Sequence, residues 1–168
     1  MMESSPLDFR RAIVWIGRLI LAGVFIYAGY SKIALPTIHP RPPIGVALSL
    51  FALQIDSYQM LPPWAVNAVA HTLPFAEIAL GLLLLIGWQL RIWTALTSLI
   101  LLGFFAAVVR SYALGLQINC GCFANPEPLT IKTVIRDGLL VALSLVVTIV
   151  SFLNTRAPHP WSAPTENG

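Results

Sequence analysis

The chain has 168 residues, of which 57% are apolar and only 10% charged, with a net charge of +3 and a mean hydropathy of +0.80. One domain of this size cannot hide so much apolar surface from water, so the composition excludes a soluble globular protein and requires a covering of lipid. No basic run interleaved with aromatics is present, which excludes a nucleic-acid partner.

In chain order, residues 1–11 form a short N-terminus before the first apolar stretch, about Ala12 to Ala34. That stretch is too long for the core of a signal peptide, and Ala28-Gly29-Tyr30-Ser31-Lys32 lacks a small-x-small cleavage site. It is expected to stay as an anchor. A loop follows, bracketed by Pro36, Pro40, Pro42 and Pro43 on one side and Pro62 and Pro63 on the other. Its middle, Ile44 to Ile55, is apolar but too short to span, and is expected to be an interfacial or re-entrant helix over one mouth of the bundle. Further apolar stretches run over about 64–87, 92–116 and 131–153. Each can cross ~30 Å of hydrocarbon at 1.5 Å per residue, and lipid admits only helices as isolated spans. The expected fold is therefore an all-α integral membrane protein: a four-transmembrane-helix bundle with a short interfacial helix between spans one and two. The polar, proline-bearing tail, 154–168, is expected to be disordered.

Gly17, Gly23 and Gly29 in span one, and Gly138 with Ala142 in span four, are small enough to permit close helix approach. Trp15, Trp64, Trp88 and Trp93 lie near span ends, as interfacial aromatics do. Four spans place both termini on one side, opposite the proline-bracketed loop and the connection between spans three and four. Arg10, Arg11, Arg18, Arg91 and Arg156 belong to the terminal side; Lys32, Arg41, Arg110, Lys132 and Arg136 belong to the other. Arg110 and Arg136 fall inside span limits and serve the bundle interior. Discounting them puts both termini in the cytoplasm of a bacterial inner membrane and the span three–four loop outside.

Ionisable residues inside spans are costly, and so mark functional candidates. Arg110, Arg136 and Asp137 lie at matching depths of ~8–9 Å by the helical rise, which makes Arg110 and Asp137 an expected pair. Glu77 sits near the middle of span two, three residues after a helix-kinking Pro74, with His71 one turn before the proline and Arg18 within reach from the terminal side. One reading makes these charges structural ion pairs locking the helices. The other makes Lys32, Arg110 and Arg136 an electropositive vestibule that lowers a thiol pKa and holds the oxygen of a quinone.

The only two cysteines, Cys120 and Cys122, lie one residue apart in the loop after span three. A ring through Gly121 would be strained, readily reduced and readily attacked, which suits thiol–disulfide exchange. Metal binding with His39 or His71, a bond to another subunit, and two inert thiols are the competing readings. Two thiolates are too few for a closed zinc site and no histidine follows at finger spacing, so no metal is expected. A membrane thiol oxidase with an internal relay needs two cysteine pairs. One pair must pass electrons straight to a bound acceptor or exchange with a soluble thioredoxin-like partner.

The order of motifs resembles the MauE family of methylamine-utilisation membrane proteins, within the wider DoxX-like group. The resemblance covers about Arg18 to Leu140. It is carried by Arg18 and Ala28-Gly29-Tyr30-Ser31-Lys32, by Asp56-Ser57-Tyr58-Gln59-Met60-Leu61-Pro62, and by Leu73-Pro74-Phe75-Ala76-Glu77-Ile78-Ala79-Leu80-Gly81. Gly115 to Phe123, with its Cys-Gly-Cys, and Arg136-Asp137 complete it; Ala124 replaces the glycine that usually follows Cys-Gly-Cys-Phe. The resemblance implies a four-helix inner-membrane protein that acts with a thioredoxin-like periplasmic partner in maturing the disulfide-rich small subunit of methylamine dehydrogenase. DoxX-like relatives imply quinone-linked thiol or sulfur oxidation.

The leading expectation is a redox membrane protein. Cys120 and Cys122 exchange electrons with an extracytoplasmic thiol partner and a quinone, and Lys32, Glu77, Arg110, Arg136 and Asp137 supply supporting charge. The rival is a non-catalytic accessory subunit packed against a larger electron-transfer or photosynthetic complex. A transporter is weaker, since only span two carries a central proline and charge and no second half repeats it.

Overall fold

Proline at a first helical position loses no hydrogen bond, because the first turn's N–H groups have no intrahelical partner. Pro63 accordingly opens α3 (Pro63–Ile86), while α1 is described over Pro6–Ala34. Between them lies α2 (Ile44–Asp56), with Pro43 at its N-cap. Two further helices, α4 (Leu90–Ala113) and α5 (Ile131–Leu153), complete the chain order. The computed structural model describes residues 6–36, 38–116, 118 and 128–153, the side chains of 6–11 excepted.

Glycines set the ends of α3 and α4. Gly87 adopts the left-handed conformation (φ 79°) and its N–H returns to the Leu83 carbonyl, so α3 closes and α4 starts three residues later. At the far end of α4, Gly115 (φ 67°) donates to Tyr112 O at 3.0 Å while Leu116 donates to Ser111 O at 3.1 Å. This paired return is a Schellman motif, which satisfies two terminal carbonyls and stops the helix at Ala113. Hydropathy alone carries the span on to residue 116, because Leu114 and Leu116 are apolar whether or not they are helical.

Four helices hold apolar stretches long enough to cross a bilayer: Ala12–Ala34, Pro63–Ile86, Leu90–Ala113 and Ile131–Leu153. Many large apolar side chains on them point outward, among them Ile16, Ile86, Leu99 and Leu139. Such a surface is stable only against hydrocarbon. The chain is a four-span, multi-pass membrane protein, with α2 packed on α1 and α3 at the end remote from the termini.

Packing between spans follows small residues, as lipid supplies no hydrophobic force between helices. The α1–α3 seam is the most extensive. A Cβ on Gly29 would lie 2.5 Å from the Pro74 carbonyl, and one on Gly81 2.9 Å from the Ala22 carbonyl. Gly17 meets Val147 of α5, and Gly138 faces the Phe105 ring at 3.5 Å. Gly23 faces open space, so it makes no close helix approach. The α4–α5 helices add hydroxyls to this packing. Thr94, Thr97, Ser98, Ser144 and Ser151 are buried there, and Ser98 Oγ lies 2.9 Å from Thr148 Oγ1. Most of these hydroxyls bond carbonyls of their own helix, which satisfies them in lipid.

Candidate functional site

Helical side chains lean toward the N-terminus of their helix. Lys32, in the last turn of α1, therefore leans down into the bundle, while Glu77 on the antiparallel α3 leans up. They meet. Lys32 Nζ lies 2.8 Å from Glu77 Oε1 and 2.7 Å from Oε2, and a third contact reaches the Ala28 carbonyl at 3.3 Å. Only 6% of Lys32 and 9% of Glu77 is exposed, and the Phe51 ring covers the ammonium at 5.5 Å. The close α1–α3 approach at Gly29 makes the pairing possible.

Arg136 and Asp137 open the second charged pair, at the head of α5. Arg136 Nε lies 3.0 Å from Asp137 Oδ1, with Asp137 buried and Arg136 partly exposed. Arg110 is exposed, and no ion pair joins it to Asp137 among the described residues. The expected Arg110–Asp137 pair is replaced by one between sequence neighbours, because Arg110 points away from the bundle. Arg18 likewise does not reach Glu77: its guanidinium contacts the Leu85 carbonyl and stacks on Trp15, one end of the bundle away. His71 is exposed and bonds the Asn67 carbonyl of its own helix.

Lys32, Glu77 and Asp137 share a cavity of about 420 Å³ between all five helices. The rest of its wall is apolar or aromatic, including Val24, Phe25, Phe51, Leu73, Phe104 and Leu140, with Gln54 and Tyr58 adding polar groups from the α2 side. Among the described residues, Lys32 is the cation and Glu77 and Asp137 are the carboxylates that line it, so the cations of the expected vestibule do not stand alone. An apolar volume with a few polar groups at one wall suits an amphiphile with a polar head.

Cys120 and Cys122 lie outside the described residues. Ile118 and Leu129, before and after them in the sequence, are described and are pinned together. Leu129 N–H donates to Ile118 O at 3.0 Å, and both side chains pack on Tyr58 and Val108. Tyr58 is 7% exposed and also lines the cavity, so Ile118 and Leu129 are held against the cavity wall. Tyr58, Gln54 and Phe51 were not singled out as site residues from sequence. The signal available was the apolar register of α2, whose one buried face carries Phe51.

These features define a class: a small helical membrane protein of four spans whose core encloses an ion-paired, ligand-sized apolar cavity. A family model for the methylamine utilisation protein MauE matches residues 10–150. The chain belongs to the MauE family. It is 31% identical over 139 residues to the methylamine utilization protein MauE of Paracoccus denitrificans, covering 80% of this chain and 68% of that one. The MauE protein of Paracoccus versutus is 31% identical over 136 residues, covering 79% and 67%. No solved structure matches the chain.

Proposed function

We propose that the chain serves methylamine utilisation as a thiol–disulfide exchange protein of the bacterial inner membrane. Both termini lie in the cytoplasm and the Cys120–Cys122 loop faces the periplasm. The disulfide of this pair accepts two electrons and two protons from the dithiol of a thioredoxin-like periplasmic partner, leaving that partner oxidised. The reduced pair then gives two electrons and two protons to a quinone and closes again. The oxidised partner goes on to form disulfides in an amine-dehydrogenase subunit. Lys32, Glu77 and Asp137 orient the quinone head in the apolar cavity, and Arg136 holds Asp137 in place.

One observation carries this reading beyond family membership. Ile118, two residues before Cys120 in the sequence, packs against Tyr58, and Tyr58 lines the cavity. A lipid-soluble acceptor in that cavity and a thiol pair on that loop would share one wall. Electron transfer by direct attack needs such adjacency, because the chain has no second cysteine pair to relay through.

The test is a trap. A Cys122→Ser variant leaves Cys120 to hold a mixed disulfide with its partner, and Cys120→Ser leaves only Cys122. Non-reducing gels and mass spectrometry of membranes should show a partner adduct with one variant and none with the double serine variant, together with loss of partner oxidation. If the double serine variant oxidises its partner as the parent does, the redox role is wrong and the accessory-subunit reading replaces it.

A further inference from the structure

At the end of the bundle that carries the termini, a second cavity of about 400 Å³ lies between the start of α1, the α3–α4 turn and the end of α5, lined by Val14, Gly87, Arg91, Ile92 and Ser151. Its Gly87 wall is covered by Arg18. The Arg18 guanidinium would come within 2.6 Å of a Cβ at that position, and the φ of +79° there favours glycine.

Arg18 is 7% exposed, yet its one hydrogen bond among the described residues is a long one, 3.4 Å to the Leu85 carbonyl. Among the described residues, its Nε, that of Arg91 and the Trp93 indole N–H are buried without a partner. Aromatic rings cover both cations: Trp15 lies 4.1 Å from Arg18 and Phe152 5.7 Å from Arg91. A guanidinium withdrawn from water with its donors unfilled is costly unless an anion meets it. The described carboxylates are elsewhere, for Glu77 faces Lys32, Asp137 faces Arg136, and Asp56 ends α2 at the opposite end of the bundle.

We propose that this cavity binds the phosphodiester of an anionic phospholipid, held by Arg91 in its wall and by the Arg18 guanidinium behind Gly87. Planar, forked guanidinium groups match phosphate geometry. The lipid source follows from the rim. Ile16, Trp15, Ile92 and Phe152 are about half exposed or more around the two arginines, and give acyl chains an apolar path out of the site. Basic pockets between membrane helices take anionic headgroups by this chemistry.

The experiment uses the full chain purified in detergent and stripped of lipid, titrated by native mass spectrometry with phosphatidylglycerol, phosphatidylcholine or inorganic phosphate. Phosphatidylglycerol should be retained in preference to phosphatidylcholine, and inorganic phosphate should neither bind measurably nor raise the melting temperature. Arg91→Gln, at a partly exposed position, should weaken phosphatidylglycerol binding about five-fold, from about 1 kcal/mol per cation. Arg18→Gln should do at least as much if it folds, and Arg41→Gln, at the opposite end, should change nothing. Equal retention by Arg91→Gln, equal affinity for the two lipids, or full stabilisation by inorganic phosphate would overturn the proposal. Binding that emerges only after Glu3, Asp8 and Glu166 are neutralised would assign the pocket to the chain's own carboxylates and overturn it as well.

Discussion

Lys32 on α1 places its ammonium between both carboxylate oxygens of Glu77 on α3, at 2.8 and 2.7 Å, in a part of the bundle that water scarcely reaches. The pair joins the two most closely packed spans and forms the polar wall of the larger cavity.

Breaking that pair from one side should cost more than removing it. Lys32→Met or Glu77→Leu alone leaves a buried charge uncompensated, worth about 3–5 kcal/mol, whereas the double variant should recover most of the loss. Thermal unfolding in detergent across the double-mutant cycle measures this. Additive losses would mean that the two groups are not coupled.

The α1–α3 seam tolerates no added volume at Gly29 or Gly81. Gly29→Val would drive a side chain into the Pro74 carbonyl and Ile78, and should lower expression and melting temperature sharply. Gly23→Ala, facing open space, should be neutral or stabilise by up to about 1 kcal/mol through helix propensity. The same thermal assay compares them.

The hydroxyl contact across α4 and α5 is a weaker bond. Ser98→Ala should cost about 0.6 kcal/mol, the usual value for a side-chain hydrogen bond between membrane helices. Thr148→Val should cost about the same, and their coupling should account for most of each loss. Independent effects would assign the 2.9 Å contact no energetic role.

Gly103 offers a way to fill the larger cavity without disturbing the bundle. It lines the cavity, and a Cβ there meets nothing within 4 Å. Gly103→Leu should therefore fold like the parent while lowering retention of a short-tailed quinone about ten-fold, measured by equilibrium dialysis. Unchanged retention would place the quinone elsewhere.

The spans were legible because a bilayer imposes length and hydropathy directly on the sequence, and the short α2 because its twelve-odd apolar residues fall below spanning length. The depth of Glu77 and Lys32 was readable too, but their pairing was not. It depends on side chains leaning in opposite senses on antiparallel helices and on Gly29 admitting α3, neither of which is a property of one segment. The Arg110–Asp137 expectation failed for a related reason. Matching depth says nothing about rotation, and Arg110 faces outward. The hydroxyl seam had a signal in the spacing of Ser144, Thr148 and Ser151, which a hydropathy reading passes over because serine and threonine are nearly neutral there.

The central claim is that Cys120 and Cys122 cycle between dithiol and disulfide under the control of a membrane acceptor. It is tested most directly by alkylating intact membranes while the quinone pool is held oxidised or reduced, then weighing the peptide that contains both residues. The account predicts a bonded pair in the first state and two alkylated thiols in the second. Two thiols alkylated alike in both states would contradict it.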